Sequence, residues 1–381
     1  MNIALIASAA LSNKKEATWL TLFSLAKEYA KQGHKVIISA EKHHLLPDIE
    51  EVEGIKIYRL YKGKIAAGAR SLRTISKQES LSFDILHGFS SSPLLALNTL
   101  LARKSFPKAK AIHTIKSKSL FNFTRNLFSS LLKRMDAVTV PTQKLKENIV
   151  RRKDKCFEER IKVIFSPINT LKFQPRNREA LKEKHGYKGK KIILYYGAMR
   201  EEKGVDCLIQ AAPLVLQQMN QKDLQFIFAI RSKAVEKKEK YLAMARSLGC
   251  EKYIHITLED LPIEEYVSMA DMVVLAYPSL NGTEGNPSCL LESMAAKTPV
   301  VTTDLPELQE ILKHEKEVLM AKAGDVQSVA VAINRLLKNP VLARKLTGNA
   351  YLKSKQFDVE IISKQFLDLY NDLLIPINQQ S

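Results

Sequence analysis

Residues 270–302 read ADMVVLAYPSLNGTEGNPSCLLESMAAKTPVVT. Residues 272–276 form a short apolar run closed by Tyr277-Pro278-Ser279, which predicts a buried strand ending in a turn. Gly, Asn and Pro then mark a loop. Pro287 suits the first turn of a helix because it has no N–H to lose there, so Ser288 opens a helix that runs to about residue 296. Leu290, Leu291, Met294, Ala295 and Ala296 make that helix apolar on most sides. Residues 299–302 return as a strand. Strand, loop, helix and strand in this order make one βαβ unit, and hence a parallel sheet with helices on its faces.

The same alternation extends along the chain. In the first half, strands are predicted at 1–8, 36–40, 55–60, 84–87 and 110–115, and helices at 17–31 (closed by Gly33) and 93–103. After Phe173-Gln174-Pro175 a second series begins. It has strands at 191–196, 224–230, 253–256, 272–276 and 299–302. Its helices lie at 204–218, 263–269, 289–296, 326–338 and 340–353. The expected fold is α/β, two Rossmann-like doubly wound domains facing a cleft, with boundaries at 1–172 and 173–355. An amphipathic stretch at 359–374 lies in a C-terminal segment, 356–381, long enough to return to the first domain.

The 381 residues suit two domains. Four cysteines, Cys156, Cys207, Cys250 and Cys289, stand in no C-x-x-C pair or framework spacing, so they read as reduced thiols. No apolar run approaches the roughly 20 residues that span a bilayer. The apolar N-terminus lacks a basic leader and runs into the polar residues Ser12 to Glu16, which fits a first strand better than a signal peptide. The net charge is +19, and residues 1–175 carry 31 Lys/Arg against 14 Asp/Glu, with 28 against 26 in the rest. The first half therefore either faces something anionic (a membrane surface, a nucleic acid or an acidic acceptor) or is a solvated basic surface without a partner.

Two loops of the second half suit an anionic ligand. Gly197-Ala198-Met199-Arg200-Glu201-Glu202-Lys203-Gly204 lies between a strand and a helix. Gly197 permits a tight turn, Gly204 a close backbone approach, and Arg200 and Lys203 can place positive charge over a phosphate. In the second loop Glu284, Gly285, Asn286 and Pro287 lead to the helix start. There the amides of Ser288 and Cys289 and the helix dipole favour a diphosphate. Glu292, one turn into an apolar helix, is a carboxylate that needs a partner and can accept hydrogen bonds from two vicinal hydroxyls.

Residues 270–312 resemble the nucleotide-sugar site of the retaining glycosyltransferase family 4, whose signature E-x7-E is met by Glu284 and Glu292. Asp271-Met272-Val273-Val274, Glu284-Gly285, Leu291-Glu292-Ser293-Met294-Ala295 and Pro299-Val300-Val301 match in order, and Lys203-Gly204 matches a separate landmark. Landmarks at 33–36, 54–59 and 169–175 match as well. The resemblance implies a GT-B fold and transfer of a sugar from a nucleoside-diphosphate sugar to an acceptor in cell-surface glycan, lipopolysaccharide or glycolipid synthesis. It implies that Glu292 binds the ribose, Glu284 contacts the transferred sugar, and Lys203 with a neighbouring Arg neutralises the leaving diphosphate. It implies no cofactor and no metal, in keeping with the lack of an Asp-x-Asp.

The chain also departs from the family pattern. Ala198 stands where the family has Arg, with Arg200 two residues on. Ser12-Asn13-Lys14-Lys15-Glu16 has no Gly-Gly. Lys297 precedes Pro-Val-Val in place of Gly. Thr114-Ile115-Lys116 puts Lys116 where a Thr-x-His pattern has His, with His113 nearby. Alternation puts 114 and 116 on one face and 113 on the other, favouring Lys116. The basic, apolar stretch 116–134 (Lys118, Arg125, Lys133, Arg134 among Leu and Phe) either lies in a membrane interface or packs into the core with a solvated edge. With a second basic tract, Arg59, Lys62, Lys64, Arg70 and Arg73, it suggests a cytoplasmic enzyme peripheral on the inner face of the cytoplasmic membrane. A catalytically impaired sugar-nucleotide-binding protein and a nucleic-acid-binding protein are the alternatives, the latter without a recognition motif.

Overall fold

The computed structural model describes residues 1–7, 17–62, 67–91, 93–117, 121–150, 155–219, 223–230, 235–280 and 285–375. The chain divides into two compact units, Met1–Pro167 with Val359–Ser381, and Ile168–Asp358. The seams fall at Pro167/Ile168 and Asp358/Val359, against 172/173 and 355/356 in the sequence reading. Local bonding explains their position. Ile168 bridges Asp358, and its N–H donates to Phe357 O at 2.9 Å. The Asp358 carboxylate accepts from both the N–H and the hydroxyl of Thr170. The two passages of the chain into and out of the second unit are thus tied side by side.

The first unit is built on β1 (Asn2–Ala7), β2 (Lys35–Glu41), β3 (Ile49–Val52), β4 (Ile55–Tyr61), β5 (Ile85–Phe89), β6 (Lys110–Thr114), β7 (Ala137–Val140) and β8 (Ile161–Val163). The sheet order is β3-β4-β2-β1-β5-β6-β7-β8. All pairings are parallel except β3 with β4, a hairpin closed by Glu53 and Gly54, both at positive φ (47° and 79°). Period-two alternation splits the core. Ile3, Leu5 and Ala7 pack with Trp19, Leu22 and Tyr29 of the helix Ala17–Lys31 and with Ile362, Phe366 and Tyr370 of the helix Val359–Leu374. Ala4 and Ile6 face the other way, onto Leu72 and Ile75 of Ala67–Gln78 and Leu95 of Pro93–Arg103. The returning C-terminal helix is part of this unit's core.

The basic stretch near 116–134 forms the helix Phe121–Leu132. Phe128, Leu131 and Leu132 are buried against Ala111 and Val138, while Leu127 is 59% exposed. Where it is described, this helix packs into the core. Lys118 lies outside the described residues, as do Lys64 and Ser12–Glu16, and the Arg125 side chain is likewise not described. Arg59 does not belong to a surface tract: it is 1% exposed and paired with Glu50 at 2.8 Å.

The second unit holds β9 (Lys191–Gly197), β10 (Leu224–Ile230), β11 (Ile254–Thr257), β12 (Met272–Val274), β13 (Val300–Thr303) and β14 (Leu319–Ala321). Their order is β11-β10-β9-β12-β13-β14, and every pair is parallel. Relabelled from one, this is 3-2-1-4-5-6, the doubly wound dinucleotide-binding order. The winding reverses between β9 and β12.

Candidate functional site

Ligands of doubly wound sheets bind outside the carboxyl ends of the strands where the winding reverses. In the second unit that place is fixed by Gly197, the last residue of β9, and by the segment after Val274 at the end of β12. Both candidate loops start there.

The first loop leaves β9 through Gly197 (φ 144°) and makes a 3-10 turn, Glu201–Lys203. Gly204 follows in the left-handed region (φ 71°, ψ 26°) and opens the helix Val205–Leu216. A Cβ on Gly204 would sit 1.9 Å from Ala276 O. The lysine-glycine pair is therefore pressed onto the backbone just beyond β12, and only glycine allows that approach. Ala198 offers its carbonyl to Tyr195 OH at 2.7 Å. Arg200 is exposed at the turn, and Lys203 is half-buried with its Nζ 5.5 Å from the centre of the Tyr277 ring. A cation over an aromatic face is held by the ring's quadrupole.

The second loop ends in the helix Ser288–Ala295, with Pro287 as its cap and no side-chain capping bond. Its first amides lie at the positive end of the helix dipole. Glu284 and residues 281–283 lie outside the described residues. Gly285, Asn286 and Pro287 are buried, and among the described residues neither end of the Asn286 carboxamide has a hydrogen-bond partner. Ser288 and Cys289 are half-buried. Glu292 is only 4% exposed.

Two tyrosines that the sequence reading passed over join these loops. Tyr277 OH lies 3.1 Å from Cys289 Sγ, so one ring carries Lys203 on its face and meets the helix start through its hydroxyl. Burial raises the Tyr277 phenol pKa well above its usual value, with the Cys289 sulfur adding to the effect. Tyr196, on β9, reaches Cys289 O at 2.7 Å and Glu292 Oε2 at 3.1 Å. The structure thus brings Lys203, Gly204, Cys289 and Glu292 into one connected cluster although 86 positions separate Lys203 from Cys289. The available signal was the pair Tyr195-Tyr196 inside an otherwise apolar strand, since a buried hydroxyl needs a partner.

In the first unit the strand-end residues separate as alternation requires. Thr114 Oγ1 meets His87 Nε2 at 2.7 Å, and on the same face Lys116 Nζ donates to Thr21 Oγ1 at 2.7 Å. His113 points the opposite way. It is fully buried, lies edge-on to Phe128, and its Nε2–H donates to Ser90 O at 2.9 Å. Burial pushes its pKa down to about 4, against a smaller opposing effect of the Ser90 bond, so the imidazole is neutral near pH 7. This is the environment of a core histidine. Lys116, 8% exposed, lies two residues beyond the carboxyl end of β6.

The two Rossmann-like α/β units, one on a mostly parallel and one on a wholly parallel sheet, have the architecture of the GT-B fold. Residues 177–353 match the model of glycosyl transferases group 1 and residues 20–171 that of glycosyltransferase family 4, so the chain belongs to this glycosyltransferase family. It is 25% identical to YtcC of Bacillus subtilis, which its name places among the glycosyltransferases, over 92% of this chain and 87% of that one. Sucrose-phosphate synthase of Thermosynechococcus elongatus has the same fold, with a TM-score of 0.82, 20% identity and 98% of both chains covered. So does Anabaena HepE, solved in complex with UDP-glucose, with a TM-score of 0.79, 16% identity, and 98% and 100% coverage.

Proposed function

We infer that this glycosyltransferase is a retaining enzyme that takes a sugar from a nucleoside-diphosphate sugar and passes it, without a metal, to a glycan or glycolipid acceptor of the cell surface. The observation that carries the reading is the joining of Lys203 and Glu292 through Tyr277, Cys289 and Tyr196 at the point where the second sheet reverses its winding. The complex of HepE with UDP-glucose supports the choice of donor.

Each residue then has a task. Glu292 accepts hydrogen bonds from the ribose hydroxyls. The diphosphate lies over the start of the helix Ser288–Ala295, where the dipole and backbone amides favour negative charge. Glu284 and the Gly285–Pro287 backbone contact the transferred sugar. As the C1–O bond to the diphosphate breaks, negative charge grows on the leaving oxygen, and Lys203 with Arg200 offsets it. A new C1–O bond forms to the acceptor with retention, and the acceptor's hydroxyl proton ends on the departing diphosphate. Lys116 lines the acceptor side. The basic first half holds the enzyme against an anionic membrane surface on its cytoplasmic side, close to a lipid-linked acceptor.

The test is sugar transfer and donor binding by purified variants. Lys203→Ala should lower kcat about 100-fold or more, the usual cost of removing one stabiliser of developing charge. Glu292→Ala should weaken donor binding about 10-fold or more, the worth of hydrogen bonds to a charged group. Wild-type activity in both variants would refute the assignment. Binding of nucleotide sugars with no turnover in the wild type would instead favour a protein that binds donors without transferring them.

A further inference from the structure

The loop that carries Lys203 is not cationic by itself. Between Gly197 and Gly204 its charged residues are Arg200, Glu201, Glu202 and Lys203, two cations against two carboxylates, a net of zero. Two further cations reach it from the helix Val235–Ser247, which follows β10. Lys237 Nζ donates to Met199 O at 3.3 Å, and one turn further on Lys240 Nζ pairs with the Glu201 carboxylate at 2.9 Å. The two contacts thus hold the residues on either side of Arg200. Tyr241, only 2% exposed, seats the helix. Burial pushes its phenol up to about 12, and Asp206, Glu201 and Glu202 add to the rise, so this ring stands beside the acids of the loop. Lys240, with a smaller effect of Lys237, holds the Glu201 carboxyl below the usual carboxylate range.

The ion pair is exposed on both sides, at 59% and 72%, and such a pair adds little to stability. Its consequence is electrostatic. With Lys237 and Lys240 counted, four cations stand against two carboxylates, a net of +2. Lys237 meets a carbonyl, not an acid, so this contact leaves its charge in place. Cations gathered at one place attract an anionic ligand and raise its local concentration. We propose that Lys237 and Lys240 are positioning residues of the donor site: they fix Met199 and Glu201 around Arg200, offset the acids of the loop, and convert a neutral turn into one that holds a diphosphate.

The inference rests on the reading of this loop as the diphosphate-binding one, and the experiment separates the two. The probes are UDP, GDP and ADP, each with its nucleoside as an uncharged control, titrated by calorimetry at about 0.05 M and about 0.5 M salt. For the nucleotide that binds the wild type most tightly, Lys237→Met and Lys240→Met should each weaken binding about 3-fold at low salt, and the double variant about 10-fold, the scale of exposed charges acting separately. At high salt, where the Debye length falls below about 5 Å, the loss should shrink to about 2-fold or less. Nucleoside binding should not change, and Lys240→Arg should behave as the wild type. Glu201→Gln in the Lys240→Met background should bring affinity back to within about 2-fold of the wild type, because it removes the charge that Lys240 offsets. A brace that acts only through structure would lower the melting temperature and weaken binding equally at both salt concentrations, with no recovery from Glu201→Gln. That result overturns the inference. If Arg200→Met and Lys203→Met weaken nucleotide binding and the double lysine variant does not, the inference falls and the diphosphate reading stands. If Arg200→Met and Lys203→Met bind as the wild type does, or the wild type binds none of the three nucleotides, the diphosphate reading falls and this inference falls with it.

Discussion

Gly204 and Lys297 both hold left-handed backbone, at φ 71° and 55°, with opposite consequences. Gly204 has Ala276 O where a Cβ would lie, whereas Lys297 is exposed and its Nζ lies 4.4 Å from the centre of the Tyr351 ring. A left-handed conformation costs an L-residue about 1–2 kcal/mol, and glycine's extra chain entropy costs about 0.5–1 kcal/mol. At Lys297 these nearly cancel, and part of the ring contact survives through Lys355, 5.2 Å from the same ring. Lys297→Gly should therefore change stability by less than about 1 kcal/mol. Gly204→Ala adds a backbone clash to the conformational cost and should lose more than about 2 kcal/mol, together with the thermal shift induced by nucleotide. Denaturant unfolding of both variants checks the contrast; equal effects would mean that the turn at Gly204 has room to move.

The helix Val359–Leu374 shows how an element's position sets a residue's ionisation. Tyr370 OH lies 2.5 Å from His87 Nδ1 and 3.4 Å from Tyr29 OH, under Phe366 and Ile362. Burial lowers the pKa of His87 well below the usual imidazole value, with neighbouring His113 contributing, and brings His113 to about 4. In the unfolded chain these groups titrate near pH 6.5. As pH falls below that value the unfolded state takes up protons that the native state refuses, so native stability drops. His113 alone contributes on the order of 2 kcal/mol to that loss between pH 6.5 and 5. The melting temperature should thus fall from pH 7 to pH 5. A melt insensitive to pH over this range, or a His113 resonance titrating near pH 6.5, would contradict the burial argument.

At the scale of the whole molecule the relevant fact is that nearly all of the net +19 charge resides in the first 175 residues. Arg70, Arg73 and Lys77 are exposed on one side of the helix Ala67–Gln78, while Ala69, Leu72 and Ile75 are buried. Among the described residues no helix is long and apolar enough to cross a membrane. Attraction of this basic face to anionic lipid should be electrostatic, worth about 1 kcal/mol per basic residue near the surface. Sedimentation with phosphatidylglycerol vesicles should capture the protein at about 0.1 M salt and release it at about 0.5 M, with no capture by phosphatidylcholine. Arg70→Glu with Arg73→Glu should weaken capture at low salt. Binding that ignores both salt and lipid charge would point to apolar insertion, with the exposed Leu127 as the first residue to test.

The parallel α/β architecture, most of its helices, the two glycine-bearing loops and the asymmetry of charge were legible in the sequence, because hydrophobic period, turn residues and charge are local properties. Strands β3, β7, β8 and β14, three or four residues each, were not read from the sequence, whereas β11, β12 and β13, which are no longer than these, were. Only the tertiary structure decided that Arg59 is a buried partner of Glu50, that His113 faces the core, and that Tyr196 and Tyr277 join Lys203 to Glu292. Each of those outcomes depends on which distant residue occupies the space beside a side chain. That is set by strand order and register, here by β12 lying against β9 with Met272 opposite Ile193, a pairing between segments 79 positions apart.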